Sequence, residues 1–584
     1  MGNQRVSHKN AGYRAWSVRS LLHGYAPPAR EIRAISPKEG GLNMFDEYPR
    51  PQMRRPNWIN LCGEWDYAIT RSAAMPTVWD GKILVPFSPE APASGVSRLV
   101  KPGDFLWYRL KTRFPASDDR LLLHFGAVDQ RAVVWCNGLE VGKHSGGYTP
   151  FTIDLTGFPG PDGEAELIVA VRDDTEASPL GRGKQRLRRG GIWYTPQSGI
   201  WQPVWAERVP KDYIRSLRIT PWYDEGVVEI DAEPGGTVRF QGRDYPCPAR
   251  ISIPNFIPWS PENPYLYDFS VRYGTDEVQS YFAMRKIAVE NGRICLNDRV
   301  TFLNGVLDQG YNPDGLMTYG SDAAMVNDIK MARDMGFNTL RKHVKVEPAR
   351  WYYHCDRLGM LVWQDIPNGG GRYNPLAVNV PVVVGALGGM DDGKYKLFDR
   401  EDPVGRRAYY DELREIVGTL YNSPCVCLWT LFNEGWGQFD AAKARELVLS
   451  MDGTRLVDHA SGWHDQGVGS LRDEHVYFKK YRYKPDRLGR AVVLSEYGGY
   501  NLRVWGHTWN ERDFGYNSCA DAQSLEQKLR QLFWKEIYPA KKAGLAAAVY
   551  TQLTDVEEEL NGLVTYDRQV IKIPIDRIRK ITNI

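Results

Sequence analysis

The sequence predicts a β-sandwich, a second and smaller immunoglobulin-like β-sandwich, and a C-terminal (β/α)8 barrel. Three observations predict it. The 584 residues leave room for three or four domains at roughly 150 residues each, or fewer when one is a barrel of about 250. Short alternating apolar runs, broken by turn residues, fill the first half. After residue 286 the pattern changes to apolar strands separated by helical periodicity, as in parallel strands joined by crossovers.

Residues 1–44 show little periodicity and are expected to form an arm. From 45 to 209, runs such as WYRLKTRF, LLLHFGA and AVVWCNGLEVG alternate with period two, and Asn137-Gly138 is a hairpin signal. Residues 210–286, from YIRSLRIT to SYFAMRKIAV, are long enough for a small immunoglobulin-like sandwich. In 287–584, Ser321 is placed to cap a helix whose Met325, Ile329 and Ala332 share a face and which Gly336 ends. Eight strand patterns follow one another: TFLNGVLD, FNTLRKHV, MLVWQDI, CVCLWTLFN, RLVDHAS, EHVYF, AVVLSEY and LAAAVYTQL. That count is the signature of a (β/α)8 barrel, with a doubly wound open sheet as the alternative.

Charge is nearly balanced, 74 basic against 71 acidic residues, which argues against nucleic acid or a membrane surface as partner. A small neutral substrate fits better, and homo-oligomerisation stays open. The opening stretch lacks a signal-peptide apolar segment and no run is long enough to span a membrane, so a cytoplasmic location is expected. The eight cysteines read as thiols.

Barrel sites lie at the C-terminal ends of the strands. Two glutamates fall there, Glu434 after the fourth strand and Glu496 after the seventh. Two carboxyl groups about 5 Å apart can split the work of glycoside hydrolysis, one attacking the anomeric carbon while the other protonates the leaving oxygen. His459, His464 and His475 near consecutive strand ends invite a metal reading, but their spacing matches no known ligand set, so neither metal nor other cofactor is expected.

In order along the chain, NWINLCGEWDYAI, the WCNG hairpin, SGIWQPVW, WSPENPYLY, LNGVLDQGYNPDG, GFNTLRKHVKVEPARWYYHCDRLG, FNEGWG and SEYGG resemble glycoside hydrolase family two, the family of β-galactosidases, β-glucuronidases and β-mannosidases. The resemblance implies a jelly-roll first domain and retaining exo-hydrolysis of a glycoside. It implies Glu434 as acid/base, Glu496 as nucleophile, Asn433 as a contact to the sugar 2-hydroxyl and Tyr477 as a contact to the nucleophile. Arg341 could pair with that nucleophile. Asp365, Trp463, His464, Tyr550 and Gln552 are further rim positions expected to meet substrate, and Trp193 stands where relatives carry a sugar-binding aspartate. His343 is one position out of the family pattern, so Lys342 or Lys345 could reach the sugar in its place. No Asn-x-Lys of the type that reads the carboxylate of glucuronides is present, and Lys345, Lys479 and Lys480 are read first as solvated. A β-galactosidase-like enzyme is the leading expectation. The alternatives are β-glucuronidase, β-mannosidase or furanosidase specificity, and, in other classes, a non-catalytic carbohydrate-binding protein or a metal-dependent barrel hydrolase.

Overall fold

The computed structural model describes residues 45–383 and 389–583, and the arm expected at 1–44 lies outside them. The first sandwich has a six-stranded antiparallel sheet in the order Gly81–Val85, Gly63–Thr70, Phe105–Arg113, Glu164–Arg172, Arg131–Cys136, Leu139–Ser145. A four-stranded sheet pairs Trp58–Asn60, Val204–Val209, Arg120–Phe125 and Phe151–Asp154. Alternation makes the core: Leu167, Val169 and Val171 of one sheet and Leu121, Leu123 and Phe125 of the other belong to one buried cluster. Asn137 and Gly138 both take positive φ in the hairpin between Arg131–Cys136 and Leu139–Ser145, as a two-residue primed turn requires.

The second sandwich packs a three-stranded sheet (Ser216–Trp222, Val227–Glu233, Ala249–Ser252) on a four-stranded one (Arg243–Pro246, Thr237–Phe240, Tyr267–Tyr273, Asp276–Phe282). Val228, Ile230, Val271 and Val278 fill its centre. Arg55 ties the two sandwiches, since its buried guanidinium meets Glu207 at 3.0 Å and Asp276 at 2.8 Å.

The barrel strands are β1 (Leu303–Asp308), β2 (Thr339–Lys342), β3 (Leu361–Asp365), β4 (Val426–Thr430), β5 (Leu456–Asp458), β6 (Leu471–Val476), β7 (Ala491–Gly498) and β8 (Ala547–Thr551). All eight anticipated strands form. β1 pairs in parallel with both β2 and β8, which excludes the open doubly wound sheet. The ladder then runs from β2 through β3 and β4 to β5 on one side and from β8 through β7 to β6 on the other. Among the described residues no ladder joins β5 to β6, so the ring is nearly closed.

The crossover helices are α1 (Asp322–Asp334), α2 (Ala349–Leu358), α3 (Pro403–Leu420), α4 (Ala441–Met451) and α5 (Ala522–Leu532), with α6 (Ile575–Thr582) after β8. Ser321 caps α1, its side chain accepting from Ala324 N, and Met325, Ile329 and Ala332 are buried. Strict strand–helix alternation does not hold throughout, because no helix occurs between β5 and β6 or between β6 and β7. A hairpin, Ile287–Glu290 with Arg293–Leu296, precedes β1 and contributes Ile287, Ile294 and Leu296 to the barrel core. Among the described residues no helix is long and apolar enough to cross a membrane. All eight cysteines are free thiols.

Candidate functional site

Strand alternation sorts the residues at the end of β2. Arg341 turns into the barrel, and Lys342 turns to the helix layer, where its ammonium lies over Trp351 of α2. The buried Arg341 guanidinium is a junction. Its Nε donates to Asp365 at 3.0 and 3.1 Å, Nη1 to Glu496 Oε1 at 3.2 Å, and Nη2 to Asn433 Oδ1 at 2.8 Å. Arg341 and Glu496 thus meet, and Asn433 is fixed with its Nδ2 buried and without a partner.

Glu434 follows β4 in the left-handed region, φ +51°, at a cost of about 1–3 kcal/mol for a non-glycine residue. Neighbours hold that backbone. Glu434 N donates to Ser461 O at 3.0 Å, and Trp463 Nε1 donates to Glu434 O at 2.9 Å. Trp463 is therefore at the site, beside the Glu434 main chain.

The two glutamates meet through His475. Its Nδ1 lies 2.9 Å from Glu434 Oε1 and 3.7 Å from Glu496 Oε2, and its Nε2 lies 2.8 Å from the hydroxyls of Ser461 and Ser495. One ligand-capable atom from each of Glu434, His475 and Glu496 falls within 4.8 Å of the others, which matches the close spacing of a nucleophile and an acid/base. These three are also the one trio among the described residues whose atoms could converge on a metal ion. Of the other histidines, His459 Nε2 accepts from Gln466 N at 3.0 Å. His464 is fully buried, with Nε2 2.6 Å from Ala377 O.

Register irregularities in β6 between Glu474 and His475 and in β7 between Leu494 and Tyr497 set His475 opposite Glu496, the kind of local re-aiming that bulges supply near active sites. Tyr477 OH donates to Glu496 Oε2 at 2.5 Å and stacks on Tyr516 with 3.9 Å between ring centroids.

The electrostatics of the two carboxyls are opposite. Burial alone would raise Glu496, but the charges of His475 and Arg341 outweigh it and bring its pKa down to about 2. Glu434 moves up, because burial and the negative charge of Glu496 exceed the opposing hydrogen bond from His475. Burial would lower His475, yet Glu496 and Glu434 hold it above the ordinary histidine value.

Several expected contacts sit elsewhere. Asp365 has both oxygens engaged by Arg341 and His343, the latter at 2.8 Å, so it positions Arg341 and does not face a sugar. His464 fastens a loop through Ala377 O and Met390 N. Tyr550 points outward, as alternation demands beside the inward Thr551 whose hydroxyl meets Tyr477, and packs on Tyr497 at 5.9 Å between centroids. Gln552 is fully buried, its Oε1 accepting from Gln309 and its Nε2 donating to Asn561. Lys342 and Lys345 share Glu347 in a buried network, and Lys345 also donates to Gly310 O and Met317 O. Both ammonium groups are committed to that network, and Lys345 is buried, not solvated. Lys479 and Lys480 are exposed. Trp193 packs in a tilted pair with Trp436, two residues beyond Glu434, with 5.1 Å between ring centroids.

The sequence reading weighs His475 only as a metal ligand and does not single out Lys184, yet both neighbour the glutamates. His475 stands two residues before Tyr477 and so shares its strand face, a signal present in the period-two pattern. Lys184, in the basic run RGKQRLRR, comes from the first sandwich, and its charge acts on both Glu434 and Glu496. Only folding brings it there.

A parallel barrel presenting two carboxyl groups at this separation on its C-terminal rim defines a glycoside hydrolase. The chain belongs to glycoside hydrolase family 2. The model of the family's TIM barrel domain matches residues 287–497, and the family 2 model for the preceding domain matches 214–285. The β-glucuronidase of Streptococcus agalactiae serotype V is 24% identical over 480 residues, 70% of this chain and 76% of that protein. Among solved structures, a Faecalibacterium prausnitzii β-glucuronidase superposes with a TM-score of 0.69 at 21% identity, covering 92% of this chain and 99% of the other. A family 2 β-galacturonidase from Eisenbergiella tayi bound to galacturonate gives 0.69 at 18% identity, covering 92% and 99%.

Proposed function

We propose that this enzyme is a retaining exo-glycosidase that releases a terminal β-linked uronic acid by double displacement. The observation that carries the mechanism is the opposite electrostatic treatment of two adjacent carboxyls. Glu496, stripped of its proton affinity by Arg341 and His475, is the nucleophile, and Glu434, raised by burial and by its neighbour's charge, is the acid that protonates the leaving oxygen. Once Glu496 is esterified by the sugar its charge is gone. Glu434 then falls back toward an ordinary carboxyl and serves as base for the incoming water. Asn433 Nδ2, buried and unpartnered, is suited to a sugar hydroxyl, and Tyr477 and Arg341 keep the nucleophile ionised and oriented.

The acid-sugar reading replaces the β-galactosidase-like one because similar proteins, those of Streptococcus agalactiae and Paenibacillus borealis among them, carry the name β-glucuronidase. Its test is release of 4-nitrophenol from paired aryl glycosides: β-glucuronide with β-glucoside, and β-galacturonide with β-galactoside. A uronide should respond best, Glu496→Ala should be silent on it, and a chelator should leave the rate unchanged. Preference for a neutral sugar contradicts the substrate, and loss of activity to chelator contradicts the metal-free mechanism.

A further inference from the structure

Lys184 lies on the 181–196 segment of the first sandwich, which crosses to the barrel rim and is pinned there. Arg182 N donates to Asn368 O at 2.9 Å, and the Arg182 guanidinium donates to Gly370 O and Gly371 O at 2.5 and 3.0 Å. Gly183 takes φ +61°, and a Cβ on it would stand 2.6 Å from Val344 O just beyond β2. That close approach brings the next side chain to the site.

Lys184 is 6% exposed, and among the described residues its ammonium makes no hydrogen bond. Aromatic rings surround it, Tyr194 at 5.4 Å and Trp436 at 6.0 Å from Nζ to ring centroid. The nearest carboxylate, Glu559 Oε2, is 4.0 Å away and already accepts from Tyr194 OH, while its other oxygen accepts from Asn561 at 2.9 Å. The titratable groups whose fields it shares are Glu559, Glu434, Glu496 and His343. The ammonium carries three donors and, on a residue only 6% exposed, has little besides the pocket to turn them to, so an acceptor that enters the pocket meets donors not committed to the protein. Cations elsewhere in the barrel, Lys342, Lys345 and Lys572, are each hydrogen-bonded to a carboxylate at 2.7 Å. Lys184 differs from them in being held ready.

We propose that Lys184 is the specificity-determining residue that binds the carboxylate of the terminal uronic acid, placed there by the first sandwich and not by the barrel. This rests on the uronide reading above. An acidic sugar whose anomeric carbon lies against Glu496 brings a carboxylate to the ammonium, converting its unused donors into charge-assisted hydrogen bonds. A neutral sugar leaves them unmet.

The test measures kcat/KM for each uronide and its neutral counterpart in the full chain carrying Lys184→Met or Lys184→Arg, with thermal unfolding as the check on folding. Lys184→Met should lose about 100-fold on the uronide, the size of one or two charge-assisted hydrogen bonds, chiefly through KM. It should change less than about threefold on the neutral sugar, and Lys184→Arg should keep part of the uronide rate. Weaker inhibition of Lys184→Met by free glucuronate, with glucose unchanged, supports the same conclusion where neutral glycosides are poor substrates. Equal losses on both sugars, with a displaced pH profile, would mean that Lys184 only tunes the glutamates and would overturn the proposal, as would no loss at all. If the unmutated enzyme does not prefer a uronide, the substrate reading itself falls and this proposal falls with it.

Discussion

At the scale of residues, the site works by unequal burial of two like groups around one imidazole. The free enzyme is competent when Glu496 is ionised and Glu434 protonated, so the acidic limb of kcat/KM belongs to a group at about 2 and the basic limb to one above the ordinary glutamate value. In Glu434→Gln the basic limb should vanish, and the rate should fall further with poor leaving groups than with 4-nitrophenol. Arg341→Met removes the cation at 3.2 Å from Glu496 Oε1. The Glu496 pKa then rises and the acidic limb moves to higher pH, and an unmoved limb would show that His475 alone sets it. Glu434 and Glu496 were legible because a charge ending an apolar barrel strand has few structural explanations. Arg341 was legible through its motif. Asp365 and Gln552 were misread because sequence places them at the rim but does not reveal that internal partners occupy their polar atoms.

Elements decide which of these side chains face inward. Tyr550 shows the limit of reading an element from sequence: the strand was correctly located, but its phase was visible only from Thr551, whose hydroxyl meets Tyr477 inside the barrel. The irregularities in β6 and β7 carry no sequence mark and set which residues oppose each other. By contrast α1 was legible down to its cap, since Ser321 and the spacing of Met325, Ile329 and Ala332 are local properties. The 181–196 segment is the element most exposed to perturbation. Gly183→Ala should push it away from Val344 O and lower uronide kcat/KM by about 10- to 100-fold, the penalty of a misplacement near 1 Å, with a smaller effect on the neutral counterpart. Equal effects on both sugars would indicate general damage to the rim.

Across the whole molecule, the sandwiches serve the barrel by contact, and buried charges make several of those contacts. Arg55 holds Glu207 of the first sandwich and Asp276 of the second, so Arg55→Met strands two carboxylates and should lower stability by about 3–5 kcal/mol, read from urea unfolding, while kcat/KM of the folded fraction changes little. No measurable change would mean that Arg50 and Tyr48, which also bond Glu207, suffice. This scale was legible as a succession of ordered motifs, whereas the reach of Lys184 across to the glutamates was not, because it depends on the fold bringing distant segments together. Double displacement by Glu496 and Glu434 is tested most directly by the anomer of the released sugar, followed by proton NMR during hydrolysis of the best uronide. The β-anomer should appear first and mutarotate later, and first appearance of the α-anomer would contradict the mechanism.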